Sequence, residues 1–446
     1  MKDLLAKYDV PVPRYTSYPT VPAWEQNLTS EIWLEHLRMA LKPDAASWSL
    51  YLHVPFCETL CTFCGCNNII TKNHKLEDPY VGHLLKEWDI YQKNVPGFKD
   101  RPLRHIHVGG GTPTFLSEKN LDTLFGGLFE GLTKAKDWEA SIEVDPRRTN
   151  AEQLRILRGH GFNRISMGVQ DFNHEVQRLV NRIQPYEVTE KITRSARDLG
   201  YESVNFDLIY GLAKQTRESM AETADLTIQL RPDRIALYSF ALVPWIKPAQ
   251  RLFKDEDLPK APEKRELYEL ARDKFLKAGY IEIGMDHFAL ATDGLNQALK
   301  ENRLHRNFMG YTDQRTDVML ALGVSGISET PFSFHQNEKV LPKYEEFLKS
   351  DHIATLKGHV HNDLDRRRRK QILEFITAYT TELEPEQEQD ADRFLAEMIK
   401  DGFVVRKGSK LTLTNSGKPF LRNACAFFDE RLRTMKPDSP IFSKSI

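Results

Sequence analysis

The sequence predicts an α/β protein built on a parallel sheet, with a smaller, mostly helical, winged-helix-like domain at its C-terminal end. From residue 48 onward, six short apolar runs, each ending near Gly, Pro or Asp, alternate with longer amphipathic stretches. Six βα units in succession imply parallel strands joined by right-handed crossovers. After about residue 360 the pattern becomes helix, helix, two short β runs and a final helix, the order of a winged helix.

Residues 1–47 read as an arm, marked by the polar, aromatic segment Arg14-Tyr15-Thr16-Ser17-Tyr18-Pro19. Strands are expected at Ser49–Val54, His105–Val108, Ser141–Val144, Arg164–Gly168, Ser203–Leu208 and Arg234–Phe240. Between them, helices are expected at Tyr80–Lys93, Leu121–Leu132, Ala151–Gly161, Glu187–Leu199 and Glu218–Leu230. Leu121, Leu124, Phe125 and Leu128, for example, share one helical face. The expected units are the arm (1–47), a catalytic unit (48–290), an extension and connection (291–358) and the C-terminal domain (359–446). The last should carry β runs at Phe403–Arg406 and Lys410–Thr414 around Lys407-Gly408-Ser409, then a helix from about Ser416. Periodicity alone leaves open whether the sheet is an open doubly wound sheet or a full or partial barrel.

The chain has 446 residues, 40% hydrophobic and 28% charged, enough apolar content for a sizeable core. Its 62 basic and 63 acidic residues give a formal net charge of -1 and no global pull toward nucleic acid or an anionic membrane. No apolar run approaches the roughly 20 residues of a membrane span, and the N-terminus shows no apolar signal segment. A cytoplasmic location without membrane or nucleic-acid partners is the expectation.

Four of the five cysteines fall between positions 57 and 66. Cys57, Cys61 and Cys64 are spaced C-x3-C-x2-C, and Cys66 follows. A cubane [4Fe–4S] cluster ordinarily takes four thiolates, so a tight trio leaves one iron open. That open iron is where the amino and carboxylate groups of S-adenosylmethionine (SAM) are expected to bind, in a radical SAM enzyme. A zinc site usually pairs two nearby cysteines with a distant second pair. The only distant cysteine, Cys425, stands alone and reads as a small buried hydrophobe. Gly109-Gly110-Gly111-Thr112-Pro113, after the second strand, lets a ligand touch backbone; a tight turn is the plainer reading, and the sequence fits neither common phosphate-binding loop motif. Polar residues recur at later strand ends: Glu143, Asp145, Gln170, Asp171 and Asp207. Ligands of parallel α/β folds sit at that end of the sheet. Arg182 is a candidate partner for one of those carboxylates. The basic run Arg366–Lys370 reads as a solvated helix face, with a nucleic-acid contact as the rival reading.

Taken together, CETLCTFCGC, HVGGGTPTF, SIEVDPR, NRISMGVQDFNHEVQRLVNR, NFDLIYGL, MDHFA and HRNFMGYT closely resemble the oxygen-independent coproporphyrinogen III oxidase family over nearly the whole chain. The resemblance implies a radical SAM partial (β/α)6 barrel with a smaller helical C-terminal domain. It implies an oxidoreductase of haem biosynthesis that turns two propionates of coproporphyrinogen III into vinyl groups, giving protoporphyrinogen IX. It also implies a [4Fe–4S] cluster on Cys57, Cys61 and Cys64 and two SAM molecules. The cluster-bound SAM would meet Tyr51, Phe63, Gly110, Glu143 and Ile327, and the second would meet Gly111, Thr112, Gln170, Arg182, Asp207 and Ala241. Cys66, followed by Asn67, resembles the true oxidases and is the catalytic candidate. Arg14 and Arg306 are candidates to clamp substrate carboxylates. A monomer is expected, and neither electron donor nor final acceptor is identified. Relatives that chaperone haem, or other radical SAM tetrapyrrole enzymes, are the alternative. Two positions depart from the family pattern: Ala213 where proline is usual, and Gly326 where alanine is usual.

Overall fold

A computed structural model describes residues 2–435 and 441–445. Six strands form its frame: β1 (Trp48–Val54), β2 (Leu103–Gly110), β3 (Lys134–Val144), β4 (Arg164–Gln170), β5 (Ser203–Tyr210) and β6 (Arg234–Ser239). They pair in parallel and in sequence order. Helices α1 (Glu77–Asn94), α2 (Glu118–Phe129), α3 (Ala151–Gly159), α4 (Tyr186–Asp198), α5 (Arg217–Leu230) and α6 (Ala261–Lys277) alternate with them. Asn150 and Thr216 start α3 and α5 with reciprocal capping boxes.

The sheet continues past both ends of this frame. An antiparallel hairpin, β7 (Tyr280–Gly284) and β8 (His287–Leu290), extends it beyond β6. On the other side β9 (Val318–Leu322) runs parallel to β1. It is followed by antiparallel β10 (Ile327–Glu329), β11 (Ser333–Asn337) and β12 (Thr355–Val360). The order is β12-β11-β10-β9-β1-β2-β3-β4-β5-β6-β8-β7. The outermost strands do not pair with each other, so the sheet is an open, partial barrel. Periodicity missed β9–β12; β9 is a short apolar run, Val318–Leu322, whereas in β11 Ser333, His335, Gln336 and Asn337 are all buried polar residues that give no apolar alternation.

The frame strands alternate strictly. Leu50, Leu52, Ile106, Val108, Ile142, Ile165, Met167, Phe206, Leu208 and Leu237 face outward into one core with Leu84, Trp88, Leu124, Phe125, Leu157, Ile192, Met220 and Phe275 of the helices. The opposite face is polar. His105, His107, Glu139, Ser141, Arg164, Ser166, Asn205 and Asp207 line a common cavity of about 120 Å³. Closed (β/α)8 barrels fill this space with branched aliphatic side chains; here it is kept for polar groups. Its lower part is tied by ion pairs, Arg164 to Glu139 at 2.7 Å and Arg234 to Asp293 at 2.7 Å. Burial would raise the Glu139 pKa, but Arg164 and Arg234 outweigh it and hold it at about 2.

Residues 1–47 contain two helices, Lys2–Tyr8 and Ser30–Ala40, rather than a featureless arm. Leu5, Tyr8, Tyr15 and Tyr18 share a second core with Ile372, Phe375, Phe403, Phe420 and Cys425. The arm therefore packs against the C-terminal domain. There, helix Asp363–Ala378 precedes a three-stranded antiparallel sheet in the order Thr380–Glu382, Lys410–Leu413, Val404–Lys407. The strand Thr380–Glu382 is too short to show in periodicity. Among the described residues no helix is long and apolar enough to cross a membrane.

Of the basic run Arg366–Lys370, Arg366, Arg367 and Lys370 are solvent-exposed as expected, while Arg368 is buried and Arg369 half-buried. Arg366 pairs with Asp363, Arg367 with Glu384 at 2.8 Å, Arg369 with Glu329 and Lys370 with Glu374 at 3.8 Å. Arg368 is buried and bridges Glu384 at 2.5 Å and Glu430 at 2.6 Å. Arg368→Ala leaves two carboxylates without their cation. They are 25% and 33% exposed, so the expected loss, about 2 kcal/mol, is smaller than for a fully buried pair. Lys370→Ala should cost at most about 0.5 kcal/mol. Equal denaturation midpoints for the two variants would contradict this.

Candidate functional site

Beyond β1, the short strand Phe56–Cys57 pairs in parallel with Ile69–Ile70. This closes the intervening residues into a loop that carries Cys61, Cys64 and Cys66. Ile69 N donates to Pro55 O at 2.7 Å and Thr71 N to Cys57 O at 2.8 Å. The loop is also held from the side: Thr62 N donates to Val180 O at 3.1 Å and Asn181 Nδ2 to Leu60 O at 2.7 Å.

The triple glycine at the end of β2 docks onto this structure instead of simply turning. Gly111 N donates to Val54 O at 2.7 Å and Thr112 N to Phe56 O at 2.8 Å. A Cβ on Gly111 would lie 2.6 Å from Pro55 O and 2.7 Å from Phe56 O. Gly110 has φ +115°, and its Cβ would meet the His53 ring at 2.8 Å. At Gly109 a Cβ would lie 2.9 Å from the Glu143 carboxyl group, which would have to swing away. Three consecutive glycines thus answer three separate close approaches.

Where the two loops meet, a cavity of about 260 Å³ opens at the C-terminal rim of the frame. Cys57, Cys61, Cys64 and Cys66 line it, with Phe63, Gly110, Gly111 and Thr112, and with Glu143, Gln170, Arg182 and Asp207 from the rim of β3–β5 and the segment between β4 and α4. Eight of the eleven SAM-site residues named from the sequence therefore share one cavity with the cysteines. Tyr51, Ala241 and Ile327 do not line it. Tyr51 is on the inner face of β1 with its hydroxyl 3.2 Å from His53 Nδ1, Ala241 follows β6, and Ile327 opens β10.

Arg182 is 8% exposed and pairs with Asp145 at 3.4 Å, the carboxylate partner its position suggested. Its Nη2 donates to Gly168 O at 2.6 Å and its Nη1 points at Cys61 Sγ at 3.7 Å. Its Nε is buried without a partner. Arg147, absent from the sequence reading, pairs with Asp145 at 2.7 Å and reaches Cys61 Sγ at 4.0 Å. Burial opposes ionisation of Asp145, but Arg182 and Arg147 hold it at about 2. Two guanidinium groups thus face a sulfur, which suits an anionic thiolate cluster. Asn68 Nδ2 and Cys66 N approach Cys64 Sγ at 3.5 and 3.4 Å. The Cys66 hydrogen bond pulls the Cys64 thiol below its ordinary range, and burial pushes Cys57 up to about 11. Burial, reinforced by the charge of Glu143, raises Asp207 to about 6, while Ser166 Oγ donates to it at 3.0 Å.

Sequence reasoning also missed Lys247, whose Nζ donates to Cys66 O at 2.7 Å, and Gln250, whose Nε2 donates to Phe63 O at 3.2 Å. No motif marks them. Arg147 does carry a signal, since it sits two residues after a rim aspartate in Asp145-Pro146-Arg147. The two family departures are absorbed locally. Gln215 Oε1 accepts from Gly211 N at 2.7 Å and secures the turn around Ala213, and a Cβ on Gly326 would crowd Ala321 Cβ at 3.0 Å.

The residues fit a [4Fe–4S] cluster. Thiols are its donors, the cavity is glycine-walled, and positive charge faces Cys61. Among the described residues no three Cys, His, Asp or Glu side chains converge on a single-ion position, as a zinc site would require. Cys57→Ala, Cys61→Ala and Cys64→Ala should each lose iron on anaerobic reconstitution, and Cys425→Ala, which alters only the second core, should keep it. Gly111→Ala should lose iron as well, because its Cβ meets backbone carbonyls. Gly65→Ala should not, since no atom lies within 4 Å of its Cβ position. Full iron content in Gly111→Ala would contradict the docking of the two loops.

Residues 51–227 match the Radical SAM superfamily profile. The oxygen-independent coproporphyrinogen III oxidase of Escherichia coli (strain K12) is 40% identical over 440 residues, covering 96% of this chain and 95% of its own length. The oxidase of the same name from Pseudomonas aeruginosa is 37% identical over 445 residues, covering 97% and 96%. The solved structure of coproporphyrinogen III oxidase (HemN) from Escherichia coli, described as a radical SAM enzyme, superimposes with a TM-score of 0.86. The two share 39% identity, and the match covers 94% of this chain and 97% of that one. On thiol loop, barrel and near full-length similarity together, the chain belongs to the oxygen-independent coproporphyrinogen III oxidase family of the radical SAM superfamily.

Proposed function

We propose that the protein oxidatively decarboxylates two propionate side chains of coproporphyrinogen III to vinyl groups, giving protoporphyrinogen IX in haem biosynthesis. The observation that carries this reading is the convergence of Cys57, Cys61 and Cys64 with a polar strand rim in one cavity, in a chain that matches the oxidases from end to end. When bound, the cluster and SAM supply a 5′-deoxyadenosyl radical that takes a hydrogen atom from the propionate carbon next to the pyrrole.

Cys57, Cys61 and Cys64 would hold the cluster, and Arg147 and Arg182 offset its negative charge. The first SAM is assigned to Tyr51, Phe63, Gly110, Glu143 and Ile327. The second is assigned to Gly111, Thr112, Gln170, Arg182, Asp207 and Ala241. Glu143 and Asp207 offer carboxylates to the ammonium groups, and the Gly110–Gly111 backbone leaves room for close approach. Phe63 lines the cavity, and Lys247 and Gln250 tie the segment after β6 to the cysteine loop. Cys66 lines the same cavity beyond the three cluster thiols and is the catalytic candidate. The reading includes a cytoplasmic monomer, with electron donor and final acceptor supplied from outside the chain.

The test is anaerobic. Reconstituted protein with reductant, SAM, coproporphyrinogen III and cell extract as electron acceptor should yield carbon dioxide, 5′-deoxyadenosine and a divinyl product. SAM cleavage with the propionates left intact would reject the oxidase. Haem binding without turnover would favour a chaperone instead.

Asp207 supplies a pH signature. Burial, with the Glu143 charge beside it, raises its pKa in the folded protein to about 6, above the ordinary carboxylate range. Its carboxylate is therefore present above that pH and lost as pH falls through it. Affinity at the second SAM site should fall over that range, and Asp207→Asn should bind weakly at every pH. A hydrogen bond to a charged group is worth about 1.5–3 kcal/mol, so the loss should be roughly 10- to 150-fold. Unchanged SAM stoichiometry and affinity in Asp207→Asn would reject the assignment.

A further inference from the structure

A second pocket, beside the catalytic cavity, gathers more cationic than anionic side chains among the described residues. It has a volume of about 80 Å³ and lies where the N-terminal arm, the ends of β5, β6 and β7, and the C-terminal domain meet. Arg14, Arg306, Arg422, Tyr210, Asp286 and Lys418 are among its walls. Arg306 is 6% exposed; its Nη1 donates to the carbonyls of Arg14 at 2.8 Å and Tyr15 at 3.3 Å, and its Nε has no partner. Arg422 donates to backbone carbonyls: Nε to Pro13 at 3.0 Å, Nη1 to Lys444 at 3.3 Å, and Nη2 to Val12. Arg14 Nη2 donates to Ser239 O at 2.7 Å.

Among the described residues, neither Arg306 nor Arg422 forms an ion pair. Two acids are near, and both are engaged. Asp286 is hydrogen-bonded to His287 Nδ1 at 2.6 Å and lies 4.0 Å from Arg14. Glu282 is shared by Arg272 at 3.3 Å and Lys418 at 3.5 Å. Carbonyl partners satisfy N–H groups but do not cancel charge, so the pocket remains cationic. Burial pulls Arg422 down to about 9, with the nearby Arg14 charge adding to the effect.

We propose that this pocket is a subsite for a carboxylate arm of the substrate, taking a propionate of the porphyrinogen that is not the one reacting. The assignment rests on the oxidase reading. A guanidinium fork matches a carboxylate, and a pocket of about 80 Å³ has room for one side arm but not for the tetrapyrrole itself. It also adjoins the reaction site. Tyr238 lines the catalytic cavity, and the next residue, Ser239, holds Arg14. The Tyr238 ring packs against His287 at 5.8 Å, and His287 in turn bonds Asp286 of the pocket. A tetrapyrrole with a propionate on every ring always has a spectator arm to offer. That arm does not change between ground and transition state, so its grip contributes to KM and not to kcat.

The probes are coproporphyrin III, the stable oxidised form with every carboxylate intact, and its methyl ester, titrated into cluster-loaded protein by fluorescence. Arg306→Gln and Arg14→Gln should weaken binding of the acid roughly 10- to 100-fold and leave the ester unchanged. KM for coproporphyrinogen III should rise by a similar factor at near-constant kcat. Acid and ester weakening alike, or neither changing, would overturn the subsite. If Arg306→Gln does not fold, Arg14→Gln, with its side chain 32% exposed, carries the same reading. Should succinate or phosphate protect the wild type from heat but not Arg306→Gln, with coproporphyrin affinity equal in both, the pocket serves a free anion and the proposal falls. A wild type that tells acid from ester through these arginines yet makes no vinyl product would sustain the subsite and overturn only the oxidase.

Discussion

The site depends on one close approach of backbone to backbone. Gly111 packs against the carbonyls of Pro55 and Phe56, with no space for a single additional carbon. Its amide and that of Thr112 tie the end of β2 to the segment that becomes the cysteine loop. Everything that matters in the cavity is referenced to this seam. Cys57 lies on one side of it, Thr112 Oγ1 is 3.4 Å from Cys57 Sγ on the other, and Glu143 fills the space left by Gly109. A cluster loop held only by its own turns would be free to spread. Anchored here, and again at Val180 and Asn181, it presents its thiols to one fixed volume.

The open sheet makes that volume available. Parallel strands usually bury both faces in apolar material. In this frame only the outer face does so, against the helices, and the inner face carries His, Ser, Asn, Glu, Asp and Arg. Such a face must be satisfied by its own ion pairs or by a ligand. Arg164, Glu139, Arg234 and Asp293 complete the lower half among themselves. In the upper half, at the strand C-termini, Glu143, Gln170, Arg182 and Asp207 line the cavity beside the cysteines. The extra strands β9–β12 on one flank and the β7–β8 hairpin on the other widen the sheet without closing it.

Much of this was legible because it is local in sequence. The six frame strands, the glycine loop and the cysteine trio each declare themselves within a dozen residues, and strand-end position alone drew attention to Glu143, Gln170 and Asp207. What stayed hidden depends on distant packing. The β11 residues Ser333–Asn337 are buried polar groups with no apolar alternation to reveal a strand. Arg368 looked like one of five solvated cations until Glu384 and Glu430 were placed beside it. Lys247 and Gln250 meet the cysteine loop from a segment with no motif. Tyr51, Phe63, Ala241 and Ile327 were suggested only by family resemblance; Phe63 lines the cavity, and the other three stand apart from its lining.

The N-terminal arm and the C-terminal domain share a core, and both bring arginines to the rim. The catalytic cavity itself is lined by residues 57–238, and the proposed chemistry rests on three thiols holding the cluster and leaving one iron free. Electron–nuclear double resonance of the reduced cluster, with SAM isotope-labelled at its amino nitrogen and carboxylate oxygen, tests that claim most directly. The account predicts hyperfine coupling from both labels to one iron, unaltered in Cys66→Ala. Absence of coupling, with Cys66 bound as a fourth thiolate, would contradict it.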